Sequence, residues 1–63
     1  MMQEMFEEVF SQVGQEFGCE GWWEVYDSDL FDVVCERISV RLGYDCWENT
    51  EFIMWQSQMG EDL

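Results

Sequence analysis

From Met2 to Phe17 the apolar residues fall at Met2, Met5, Phe6, Val9, Phe10, Val13 and Phe17. That is the i, i+3, i+4, i+7 spacing of an amphipathic helix, with Glu4, Glu7, Glu8 and Glu16 off the stripe. Gly18 is the expected stop, and Gly14 an earlier alternative. A second stripe, Leu30, Phe31, Val34, Cys35, Ile38 and Leu42, predicts a helix from about Asp29 to Leu42. Asp27 or Ser28 offers the N-cap oxygen, and Gly43 suits the left-handed position that ends a helix. Ile38, Val40, Leu42, Tyr44 and Cys46 also alternate with period two, which would fit a strand. The earlier start of the helical stripe and the stop at Gly43 favour helix. A third helix is expected to begin between Asp45 and Thr50. It carries Phe52, Ile53, Met54, Trp55 and Met59, closes at Gly60, and leaves Glu61, Asp62 and Leu63 as a tail.

Between the first two helices lies CEGWWEVY. Gly21 breaks helix and the Trp, Val and Tyr residues lean towards β structure, so this segment reads as an ordered aromatic connector or a short strand. The prediction is an all-α or mainly α, three-helix domain covering residues 1–63, with that connector between helices 1 and 2. Trp47 and Trp55 are expected in its core, with Tyr26 and Phe31 anchoring the connector. Neighbouring residues of an extended segment point to opposite faces. One of Trp22 and Trp23 is therefore expected at the surface, as an apolar anchor for a partner or as a homodimer contact.

Charge changes this picture. The chain carries 15 Asp and Glu against two basic residues, Arg37 and Arg41, for a net charge of −13, with no His and no Lys. Such self-repulsion weakens a small fold. A few lysines at i+4 from the glutamates would relieve it. Their absence points to a use for the charge. Direct binding of nucleic acid or of an anionic membrane is disfavoured by sign, and a basic protein surface is favoured. The aromatic content, 17%, argues for a folded chain.

Candidate chemistry is sparse. Without His or Lys the common general bases and Schiff-base amines are missing, and no glycine-rich phosphate loop occurs, so no enzyme activity is expected. Cys19, Cys35 and Cys46 form no metal-ligand spacing and read as free thiols of a reducing cytoplasm. The acidic start, MMQEMFEEVF, lacks the basic region of a secretory signal, and no apolar run is long enough to span a membrane. DSDLFD begins like a calcium loop, but Asp32 and Ile38 stand where the loop needs Gly and Glu. Neither a metal nor a cofactor is expected.

The pair Asp27–Ser28 at the start of a helix resembles the attachment site of acyl carrier proteins, small acidic helical proteins that carry phosphopantetheine on a Ser in Asp-Ser-Leu. Here Asp29 replaces that Leu, and a helix cap accounts for Ser28 equally well.

The carboxylates themselves suggest a larger pattern. Helix neighbours at i+3 and i+4 stand roughly 5–6 Å apart, and phosphates follow each DNA strand at about 3.4 Å of rise. Rows of carboxylates can therefore imitate a phosphate backbone. The candidate rows are Glu4, Glu7 and Glu8 on the first helix, Asp29, Asp32 and Glu36 on the second, and Asp45, Glu48 and Glu51 on the third. Glu20 and Glu24 bridge the first two.

Within RISVRLGYDCWENTE, residues 37–51, the set Arg37, Ile38, Leu42, Asp45, Trp47, Glu48 and Glu51 is similar, in register, to part of the phage Ocr family of DNA mimics. Those proteins are longer and dimeric. The resemblance implies that Asp45, Glu48 and Glu51 face an inhibited enzyme while Trp47 packs inward. The expected function is a non-catalytic inhibitor, acting in the cytoplasm of a host cell. It would occupy the nucleic-acid-binding surface of a restriction, CRISPR or repair enzyme. The competing expectation is a protein-interaction module anchored by Trp22 and Trp23, without mimicry.

Overall fold

The computed structural model describes residues 2–61. Four α-helices and one 3-10 turn make up the fold: α1 (Met2–Glu16), α2 (Trp22–Tyr26), α3 (Leu30–Leu42), the 3-10 turn Cys46–Glu48, and α4 (Thr50–Glu61). The mainly α reading holds, with one more helix than the apolar pattern predicts.

Helix α1 buries Phe6, Val9, Phe10 and Val13. The two ends of its stripe do not join them. Met2 is exposed, and Phe17, which follows the last helical residue, is 53% exposed. Gly18 sits at φ 69°, a left-handed conformation that costs other residues about 1–2 kcal/mol. There the Gly18 N–H reaches the Gln15 carbonyl (3.4 Å) and the Cys19 N–H the Gly14 carbonyl (2.8 Å). This paired closure satisfies two carbonyls of the last turn. Gly14 does not end the helix.

The connector is a helix and not a strand. Trp22 and Tyr26, four residues apart, meet edge-on at 6.4 Å, and Val25 is buried. This is helical spacing, and core contact overrides the β leaning of the residues. The Glu24 carboxylate reaches back to accept from the Glu20 N–H at 2.7 Å, satisfying one free donor at the helix start. Ser28 joins α2 to α3. Its hydroxyl donates to the Val25 carbonyl (3.2 Å) and accepts from the Leu30 N–H (3.3 Å). Asp29 makes no side-chain cap bond and adopts αR geometry.

Helix α3 buries Val34 and Ile38 and ends at Gly43, φ 83°, whose N–H reaches the Ser39 carbonyl. The period-two alternation across Ile38–Cys46 has no structural counterpart: Ile38 is fully buried and Val40 is 76% exposed.

Asp45 caps the 3-10 turn by accepting from the Trp47 N–H. Asn49, buried, starts α4 by accepting from the Phe52 N–H at 3.0 Å. Phe52 and Trp55 are the buried residues of α4. Gly60 does not stop this helix, which runs on through Glu61. Its role is close approach, because a Cβ there would lie 2.8 Å from the Tyr26 hydroxyl. That hydroxyl donates to the Gln56 carbonyl and ties α2 to α4. Of the expected tail, Asp62 and Leu63 lie outside the described residues.

Helix α1 packs against α2, α3 and α4 in a body of 28 × 24 × 20 Å. Its Phe6 ring meets Phe52 and Trp55, each at 5.5 Å. From there aromatic contacts run through Phe31 and Tyr26 to Trp22 and Trp23. Trp55 is in the core as expected. Trp47 is not: it lies over Phe31 and Phe52 but remains 46% exposed. The 3-10 turn directs Cys46 inward instead, and the adjacent position turns outward.

Candidate functional site: the acidic surface and its apolar points

All acidic residues except Asp62 lie in the described part of the chain, and every one of them is exposed. The fold spends its core on apolar groups and places the carboxylates outside, where water solvates them. Glu4, Glu7 and Glu8 share α1, and Asp32 and Glu36 share α3. Asp29 precedes α3 in the turn that leads into it. The predicted row Asp45, Glu48, Glu51 is not a row along one helix. Asp45 precedes the 3-10 turn, Glu48 ends it and Glu51 lies in the first turn of α4. The break comes from Asn49, which caps α4 and so forces a new helix start between Glu48 and Glu51.

Several carboxylates have local partners. Glu24 is held by the Glu20 N–H and Asp45 by the Trp47 N–H (3.0 Å), while Glu8 accepts from the Gln12 amide (3.4 Å). Each leaves a second carboxylate oxygen for another donor. One ion pair occurs among the described residues, Glu16 with Arg37, linking the end of α1 to α3. The Arg37 guanidinium, through its hydrogen bond and then its charge, holds the Glu16 carboxyl below its usual pKa. Sequence reasoning missed this pair, since nothing in a 63-residue string with two arginines marks which of its glutamates will meet one. Arg41 forms no ion pair among the described residues.

The Trp22–Trp23 pair divides. Trp22 is half-buried between its neighbours, and Trp23 is 52% exposed. Trp23 lies over the backbone of Gly21, where a Cβ would come within 2.4 Å of its ring. The bare glycine thus seats the indole, and Trp22 meets it edge-on at 6.2 Å. A shallow groove of about 230 Å³ runs beside Trp22, past Phe10, Gly14, Cys19 and Val25. Met2, Ile53 and Met54 are further exposed apolar side chains, at positions whose apolar character had assigned them to stripes.

Among the described residues no group of three His, Cys, Asp or Glu is arranged to hold a metal ion, and no helix is long and apolar enough to cross a membrane. The three cysteines are free thiols. Burial, followed by the neighbouring Cys46 thiol, pushes Cys35 up to about 12, so it is protonated at neutral pH and a poor nucleophile. The Ser28 hydroxyl is engaged as the helix cap. What remains is a surface that attracts cations over most of its extent and offers a few separated aromatic points. No family model matches the chain, and neither does any curated protein or solved structure.

Proposed function

We propose that this protein is a non-catalytic inhibitor that binds the basic nucleic-acid-binding surface of a host enzyme, in the manner of a phosphate backbone. The observation that carries this reading is the exposure of every described carboxylate on a chain of net charge −13, with one ion pair among the described residues to offset them. A surface of this kind steers towards a basic groove, and its affinity depends on charge. The enzyme would be of the restriction, CRISPR or repair kind, occluded sterically and electrostatically.

The test is competition. Partners captured from a host lysate at low salt are identified, and duplex DNA is added to the purified pair. Displacement by DNA, with binding that weakens steeply as salt rises, supports mimicry. Reversal of Glu4, Glu7 and Glu8 to Lys then weakens binding strongly, and Trp23→Ala only modestly. Partners indifferent to DNA would sink the proposal.

The exposure of Trp23 and Trp47 favours a second reading, a protein-interaction module with aromatic anchors. That reading expects Trp23→Ala to abolish binding and salt to leave it intact.

A further inference from the structure

The outer face of α3 differs from the rest of the surface. Both basic residues of the chain lie there. They border Val40, the most exposed large apolar side chain among the described residues. Val33, Glu36, Arg37, Val40 and Arg41 together line a shallow depression of about 430 Å³.

The charges on this face are sorted sideways. At 3.6 residues per turn, Val33 and Val40 fall almost in line along the helix. Asp32 and Glu36 then lie on one flank of that line, and Arg37 and Arg41 on the other. Each flank stacks like charges at i, i+4, an arrangement that weakens a lone helix. The helix dipole favours acids early and bases late along the axis, but it does not sort charges sideways. Glu16 accounts for Arg37 within the chain, and Arg41 has no such partner among the described residues.

We propose that this face takes a second copy of the chain, the two α3 helices running parallel about a two-fold axis. Charge complementarity selects both the occupant and the direction. In a parallel pair the acidic flank of one helix meets the basic flank of the other. Asp32 then faces the partner's Arg37, and Glu36 the partner's Arg41, five residues on, as flanking charges do in parallel coiled coils. Val33 and Val40 meet their own counterparts on the axis, as a two-fold interface requires. An antiparallel pair would set acid against acid and base against base. A single helix face is a small interface, so the dimer is weak and reversible. Two copies of −13 also repel each other at long range. Added salt screens that repulsion and strengthens the dimer, whereas it weakens binding to a basic enzyme.

Sedimentation equilibrium of the full chain, from micromolar to millimolar, at about 0.05 and 0.5 M NaCl, tests this. The dimer fraction rises with salt. Glu36→Arg and Arg41→Glu each weaken association about tenfold, two symmetry-related ion pairs being reversed in each dimer. Glu36→Arg does so although it lowers the net charge. The double variant Glu36→Arg/Arg41→Glu keeps the net charge at the wild-type value and restores association. Both positions are exposed, and far-UV circular dichroism checks that each variant keeps its helices. A chain monomeric at every concentration and salt overturns the proposal. So does a double variant as weak as either single one, or a dimer that none of these changes affects.

Discussion

Replacing Asn49 with Ala removes the one buried polar side chain among the described residues. Its Oδ1 accepts from the Phe52 N–H at 3.0 Å, and its Nδ2 donates to the Tyr44 hydroxyl at 2.8 Å. Phe52 is fully buried, so water cannot replace the lost acceptor. Loss of an Asn cap costs roughly 0.5–2 kcal/mol, and about 1.5 where the freed N–H is out of reach of water. Loss of the bond to Tyr44 adds about 0.5–1.5 kcal/mol, at the low end because that hydroxyl is near water. The expected total is about 2 kcal/mol. Against a stability of about 0.05–0.15 kcal/mol per residue, that is a large share for so short a chain. The melting temperature should fall by about 8–16 °C. Asn49→Ser keeps a cap oxygen and loses only the amide arm, so it should cost about 1 kcal/mol less than Ala. Urea and thermal unfolding followed by circular dichroism measure both, and amide exchange at Phe52 reports the cap directly. An Ala variant within about 0.5 kcal/mol of wild type, or Ser and Ala variants equally destabilised, would refute the assignment of Asn49 as the cap that starts α4.

Gly60→Ala should destabilise, because its Cβ would press on the Tyr26 hydroxyl at 2.8 Å. In a Tyr26→Phe background the same change should stabilise by about 0.5–1 kcal/mol, the ordinary helix preference for Ala over Gly; additivity in the double-mutant cycle would contradict the contact. Gly21→Ala should dislodge the Trp23 indole, read as a change in tryptophan emission and near-ultraviolet dichroism. Raising NaCl should raise the melting temperature, since the screened interactions are mostly repulsive at −13. The folded Cys35 pKa, about 12, lies above its ordinary value of 9. Below pH 9 the thiol is neutral in both states and its contribution is fully present. Between pH 9 and about 12 the unfolded chain ionises first, so stability falls across that window, and Cys35→Ala should flatten the slope.

Where one face of a helix carried the core, the pattern was legible. The α1 and α3 stripes placed Phe6, Val9, Phe10, Val13, Val34 and Ile38 in the interior, and Gly18 and Gly43 marked real ends. The reading failed where the spacing was set by distant partners. Residues Trp22–Tyr26 favour a strand by local preference, yet fold as a helical turn because Val25 and Tyr26 have surfaces to meet on α1 and α4. Gly60 resembles a stop but makes room for a tyrosine from another helix. Trp47 looks like core, but Cys46 beside it takes the inward position. The carboxylates were legible as an exposed set, because nothing in the chain was available to pair most of them. Their division among elements was not, since a helix start anywhere from Asp45 to Thr50 suits the pattern, and only the Asn49 bond to the Phe52 N–H sets it after Glu48.

The central position of α1 has a consequence for synthesis. The side of Phe6 that faces Phe52 and Trp55 has no cover until α4 has formed, so α1 waits on a helix made after it. A nascent chain emerging in order therefore holds the α1 stripe open until translation has passed Trp55. During that interval its protection from clumping is the repulsion among its own carboxylates, which is independent of folding.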